Sequence, residues 1–182
     1  MQTNHRKISL AIGLTAVVAC IALVYTQIGQ WYGISAYRPS DQVALTKILR
    51  DDWYLLVSEG ATTFTPEYMF EHRAATPAEA DNSLHIFVYR VHGKPAGFVT
   101  FYREAGCKGR VQFLAVGKDY RRLGYARKLL EFAVRELGKQ GVCSVGLAVR
   151  ATNATAYKLY TSLGFKKIWE EAGFLGLEKS LL

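Results

Sequence analysis

The sequence predicts a single α/β (α+β) domain around a mixed sheet, preceded by an apolar segment long enough to cross a bilayer. Three observations carry that prediction. Between Leu84 and Leu181, short runs rich in β-branched and aromatic residues alternate with helical stripes in the order β-β-β-α-β-α-β-β. Glycine-bearing turns punctuate the runs at His92-Gly93-Lys94-Pro95, at Gly106–Gly109 and at Glu171-Ala172-Gly173. No charged residue stands between Ile8 and Tyr37.

The apolar segment comes first. Ile8 to Ile28 is interrupted only by Ser9, Gly13, Thr15, Thr26 and Gln27, and about 20 such residues span a hydrocarbon core. Arg6 and Lys7 flank one end, with Tyr25, Trp31 and Tyr32 at the other, where interfacial aromatics are expected. Residues 1–28 are read as a single-pass membrane anchor. A cleaved signal peptide is the competing reading, disfavoured by the length of the run and the lack of an Ala-x-Ala site after it. Charge bias favours a cytoplasmic N-terminus. That bias is small, Arg6 and Lys7 against Arg38, and the folded domain is expected on the cytoplasmic side.

Residues 29–39 read as a connector and 40–182 as the folded domain. Ser40 or Asp41 caps a helix predicted to run to about Glu59, with Val43, Leu45, Ile48, Leu49, Trp53, Leu56 and Val57 along one stripe. A shorter helix is predicted near Thr65-Pro66-Glu67, with proline in its first turn. Leu84–Val91, Ala96–Tyr102 and Val111–Val116 follow as an antiparallel meander. Leu129, Leu130, Ala133, Val134 and Leu137 make one face of the next helix, with Glu131 and Arg135 spaced for an ion pair on the other. Cys143–Val149 is nearly all apolar, which predicts a strand covered on both faces. Asn153–Leu163 is helical, with Gly164 as its stop, and Phe165–Trp169 and Phe174–Leu181 form a closing hairpin.

Composition narrows the function. Half the residues are hydrophobic and 21% are charged, which excludes a disordered chain. The net charge of +8 favours anionic partners. The Lys and Arg residues are dispersed and form no polybasic tail, so no nucleic acid is expected as a partner. Cys20, Cys107 and Cys143 form no CxxC pair, and His5, His72, His85 and His92 have no ligand spacing. No metal site and no disulfide framework are expected.

The most informative segment is Tyr120-Arg121-Arg122-Leu123-Gly124-Tyr125-Ala126-Arg127. It stands between a strand and a helix. A glycine turn that opens a helix gathers free backbone N–H groups at the positive end of the helix dipole, an anion seat. Arg121, Arg122 and Arg127 add charge there. The expected ligand carries phosphate. Each residue also has a plain structural reading: Arg121 and Arg122 as solvated charges, Gly124 as a turn glycine, Asn153 as a helix cap and Tyr160 as a core tyrosine.

These residues resemble the GNAT superfamily of acyl-CoA-dependent N-acyltransferases. Arg121-x-x-Gly124-x-Ala126, after the strand ending Leu114-Ala115-Val116, is one motif. Asn153-x-x-Ala156-x-x-x-Tyr160-x-x-x-Gly164-Phe165 is the second. The stretch from Ala148 to Phe165 looks closest to the branch that acetylates protein N-termini. The resemblance implies a mixed, mostly antiparallel central sheet flanked by helices, with acetyl-CoA as cosubstrate and no metal. It implies that backbone groups of Leu114, Ala115 and Val116 bond the pantetheine arm and polarise the thioester. Arg121 belongs to the phosphate motif, and Arg122, Leu123, Gly124, Tyr125, Ala126 and Arg127 wrap the pyrophosphate. Asn153 contacts the cofactor arm. Tyr160 donates a proton to the thiolate, a role that suits a hydroxyl on an apolar helix face.

One position departs from the pattern: Ala148 stands where that branch usually has a glutamate. Glu67, Glu170, Glu171, His85 or a water chain remain as routes for deprotonating the amine. The expected activity is direct attack of a primary amine, on a protein or a small molecule, within a ternary complex. The alternative is a degenerate module that holds acyl-CoA at a membrane without turnover. A membrane scaffold with a vestigial motif is the third reading.

Overall fold

The computed structural model describes residues 32–56, 70 and 84–182. The expected anchor at 1–28 and the helix expected near Thr65 lie outside the described residues. Among the described residues no helix is long and apolar enough to cross a membrane.

The strands are β1 (Tyr32–Ala36), β2 (His85–Val91), β3 (Lys94–Arg103), β4 (Lys108–Val116), β5 (Ser144–Arg150), β6 (Lys166–Glu171) and β7 (Phe174–Ser180). The helices are α1 (Gln42–Asp51), α2 (Trp53–Leu56), α3 (Tyr125–Lys139) and α4 (Ala154–Ser162). The strands form one sheet in the order β1-β2-β3-β4-β5-β7-β6. Among the described strands only β4 and β5 run parallel; the other neighbours are antiparallel. The expected mixed sheet flanked by helices is present.

Two cores form on opposite faces of the sheet. One packs Leu129, Leu130, Ala133 and Leu137 of α3 and Tyr160 of α4 against Val99, Val111, Val145, Leu147 and Val149. The other packs Leu45, Ile48 and Leu49 of α1 against Val88, Phe98, Tyr102 and Phe113. Each fully buried aliphatic or aromatic side chain of this kind contributes about 1.5–3 kcal/mol.

Several expectations need correction. Tyr32–Ala36 is not connector but an edge strand, paired along its length with Phe87–Val91. A domain boundary at residue 40 would remove it. The predicted single helix breaks at Asp52, whose backbone (φ −132°, ψ 23°) is not helical. Asp41 stands at the start of α1 without capping it. Its carboxylate instead accepts from the Arg38 N–H at 2.8 Å and from both terminal nitrogens of buried Arg90 at 2.7 Å. Burial pushes that carboxyl upward, but the bonds from Arg90 and Arg38 outweigh it and hold it below the usual range. Glu131 pairs with Arg127, 3.9 Å away, rather than with Arg135.

β5 is not covered on both faces. Val145, Leu147 and Val149 are buried, whereas Ala148 between them is exposed, the alternation of a half-covered strand. Gly176 lies opposite Ala148 on β7. A Cβ at Gly176 would run into the indole of Trp169, so only glycine leaves room for that ring there.

The cysteine expectation is also overturned: Cys107 and Cys143 are joined in a disulfide, with Cα atoms 5.2 Å apart. The parallel pairing Lys108↔Ser144 sets the two preceding residues side by side, although they are 36 residues apart in sequence. A closed loop of that length should stabilise the fold by about 3–4 kcal/mol, mainly through the unfolded chain. Reduction, or Cys143→Ser, is expected to lower the unfolding free energy by about 2–4 kcal/mol in denaturant titration. Coincident curves with and without reductant would show that the bond contributes nothing.

Candidate active site

The parallel contact between β4 and β5 covers only Lys108–Arg110 against Ser144–Gly146. Beyond Arg110 no pairing joins these strands, and a cleft of about 560 Å³ opens between the C-terminal part of β4 and the start of α3 and α4. Parallel strands that diverge leave backbone N–H and C=O groups without a ladder partner on that side. Leu114, Ala115 and Val116 line the cleft there.

The far wall is the loop from Tyr120 and the first turn of α3. Arg122 (φ +65°) and Gly124 (φ +80°) are both left-handed. Such a turn points successive N–H groups into a concavity that suits an anion. Gly124 is the N-cap of α3 and has no side chain to cap it, and the first turn carries no acid. The opening N–H groups of α3 are therefore available to a ligand. Arg121, Arg122, Gly124, Tyr125, Ala126 and Arg127 all line the cleft. Leu123 does not, and it is 58% exposed.

The three arginines differ in what they hold. Arg127 donates to Ser162 Oγ at 2.7 Å and sits near Glu131. Arg121 is not the free cation its motif implies: it pairs with Asp52 and donates from Nε to the Val116 carbonyl at 3.0 Å. Arg122 is exposed.

Asn153 is the N-cap of α4, and its Oδ1 accepts from the Ala156 N–H at 3.1 Å. With that oxygen used, the Nδ2 donor is what Asn153 offers the cleft it lines. Tyr160 lies about two turns further on, 8% exposed and also lining the cleft. Burial pushes its phenol up to about 12, so it stays protonated at neutral pH. The capping and proton-donor readings are thus compatible with one helix serving both.

The routes for deprotonation fare worse. Glu170 is tied to Lys167 at 3.0 Å and exposed, and Glu171 is exposed; neither lines the cleft. His85 is tilted against Phe101, its ring centroid 5.4 Å away, and burial lowers its basicity. Glu67 lies outside the described residues. Among the described residues that line the cleft, Asp52 is the one acid, and Arg121 holds it. Asp52, Leu55, Leu56, Tyr120, Thr155 and Leu159 also line the cleft, and sequence alone assigned none of them to it. For Thr155 the signal was there, two residues after the Asn153 cap; for Asp52 and the α2 residues there was none.

Residues 43–165 match the model of the acetyltransferase (GNAT) family. The chain is similar to the ribosomal protein bS18-alanine N-acetyltransferase of Escherichia coli (strain K12), with 52% identity over 54 residues, 30% of this chain and 36% of that protein. The match thus spans about a third of that relative's length. A longer one, 30% identical over 152 residues, is to an N-alpha-acetyltransferase of Sulfurisphaera tokodaii and covers 77% of this chain and 83% of that protein. Among solved structures, the ribosomal-protein-S18-alanine N-acetyltransferase from Escherichia coli superposes over 81% of this chain and 92% of its own, with a TM-score of 0.61 and 25% identity. The PaiA N-acetyltransferase from Thermoplasma acidophilum, solved in complex with coenzyme A, covers 81% and 97% with a TM-score of 0.67 at 17% identity. That last likeness is one of fold.

Proposed function

The chain belongs to the GNAT acetyltransferase family, and on that footing we propose that it transfers an acetyl group from acetyl-CoA to a primary amine. One observation carries the reading: the left-handed turn at Arg122 and Gly124, at an uncapped helix start, opens into the same cleft as buried Tyr160. The residues fit the cosubstrate. Backbone N–H groups from Arg122 to Arg127 would hold its diphosphate, with Arg122 and Arg127 adding charge. Groups freed along Leu114–Val116 and the Asn153 Nδ2 would hold its arm. When bound, acetyl-CoA supplies an acetyl group activated as a thioester.

The protein's own part is positioning and proton handling. Tyr160 keeps a proton at its hydroxyl oxygen, ready for the departing sulfur. Among the described residues no cysteine lines the cleft, which supports direct attack within a ternary complex over an acyl-enzyme. Since no uncommitted carboxylate lines the cleft among the described residues, the amine proton leaves through solvent. The Escherichia coli and Sulfurisphaera relatives support an N-terminal α-amine as the acceptor class, with a lysine or a small amine as the broader set.

The test uses full-length protein. Isothermal titration with acetyl-CoA is paired with thiol release on a panel holding an alanine-initiated peptide, a lysine peptide and a polyamine. Binding with amine-dependent release is expected. Binding without release on any amine would favour the second reading, a module that holds acyl-CoA, which Ala148 motivates. Absence of binding would sink both.

For Ile8–Ile28 we propose a membrane anchor with the catalytic domain on the cytoplasmic side, where acetyl-CoA is made. The Cys107–Cys143 bond weighs toward the opposite, oxidising side. Carbonate extraction of membranes tests the anchor. Protease digestion of the domain in intact spheroplasts would place it outside.

A further inference from the structure

Two ion pairs tie the loop between β4 and α3 to the break between α1 and α2. Lys118 approaches Asp51 at 3.7 Å and is largely exposed, so that pair contributes little. Arg121 meets Asp52, whose side chain is only 19% exposed. The same guanidinium donates from Nε to the Val116 carbonyl at 3.0 Å. It therefore has one edge on the last residue of β4 and another on Asp52. A guanidinium is a rigid planar fork, so two fixed partners set its orientation.

Asp52 is itself held in place. Its N–H donates to the Leu49 carbonyl at 3.2 Å, and its own carbonyl accepts from the Leu55 N–H at 2.8 Å. The residue is thus clamped between the end of one helix and the start of the next. A diphosphate seeking Arg121 would have to displace a carboxylate already seated there. Arg122 is the contrast: exposed, and without an ion pair among the described residues.

Val116 needs such a support. On one side it pairs with Gly97 of β3. On the other, β5 has already diverged, and its pairing with β4 stops at Arg110. Arg121 supplies the hold that a neighbouring strand would otherwise give.

Resting on the coenzyme A reading of the cleft, we propose that Asp52 and Arg121 are a positioning pair: they set the end of β4 for the pantetheine arm and do not bind the diphosphate. Breaking the pair loosens Leu114–Val116 and leaves the anion seat at Arg122–Ala126 as it was.

Titration of the full-length protein with two probes separates these roles. Coenzyme A carries both arm and diphosphate; adenosine 3′-phosphate 5′-diphosphate carries the phosphates without the arm. Asp52→Asn and Arg121→Gln should each weaken coenzyme A by about five-fold, with the arm-less nucleotide changed by less than about two-fold. The double variant should be no worse than the worse single one. Asp52→Glu, which keeps a carboxylate for Arg121, should recover most of the loss and guards against a variant that misfolds. Equal weakening of both probes would make Arg121 a diphosphate ligand and overturn the proposal, as would no change in either. If the unaltered protein binds neither probe, the cofactor reading itself has failed and the pair falls with it.

Discussion

Gly124→Glu is expected to remove measurable coenzyme A affinity while leaving the domain folded. A Cβ at Gly124 would meet nothing within 4 Å, so the protein itself has room for a side chain. The backbone cost is that of a non-glycine residue at φ +80°, about 1–2 kcal/mol. That is a few degrees in unfolding temperature, not collapse. Binding suffers far more. The new side chain projects into the space the turn reserves for a ligand, and its carboxylate brings negative charge to a seat built for anions. A loss of about a hundred-fold or more is expected by isothermal titration, from charge repulsion in a partly buried site together with steric exclusion. Gly124→Ala, which carries the backbone cost without the charge, is the control and should lose much less. Unchanged affinity in the glutamate variant would remove the diphosphate from this turn.

Tyr160→Phe should lower kcat by about a hundred-fold or more, the usual worth of a positioned proton donor, with KM for acetyl-CoA changed by less than about three-fold. The ring remains, so packing against Phe165, 6.2 Å between centroids, is retained. A second readout follows from the raised phenol. Folding holds that proton more tightly than the unfolded chain does, at about 12 against 10. Below pH 10 the group adds no pH dependence. As pH rises through the interval from 10 to 12 the native state loses ground, by about 1 kcal/mol at pH 11. The phenylalanine variant lacks this loss. Unfolding of both proteins at pH 8 and pH 11 should therefore show a stability difference that shifts by that amount. An unaltered turnover rate would strip Tyr160 of its assigned role, whatever the alkaline data show.

What could be read in advance depended on how local the determinants were. The meander β2–β3–β4, helix α3 and the closing hairpin each declare themselves within a dozen residues, through alternation, a helical stripe or a glycine turn. The glycine turn at Gly124 and the cap at Asn153 are likewise local, and both landed on the cleft. The misses share a different origin. Tyr32–Ala36 becomes a strand only because Phe87–Val91 offers it an edge more than fifty residues later. Cys107 meets Cys143 only because β4 and β5 pair in parallel. Asp52 and Arg121, 69 residues apart, meet across a loop whose path no periodicity encodes. Ala148 was recognised as a departure from a pattern, but its exposure on an open sheet face came from the one-sided burial of β5, which an all-apolar run conceals.

The left-handed geometry at Arg122 and Gly124 is part of the backbone itself, so an incoming anion meets donors that are already aimed. Capture then depends on encounter rather than rearrangement. Association should accelerate as ionic strength falls, in the manner of a charge-steered collision, and differences among acyl donors should appear in residence time.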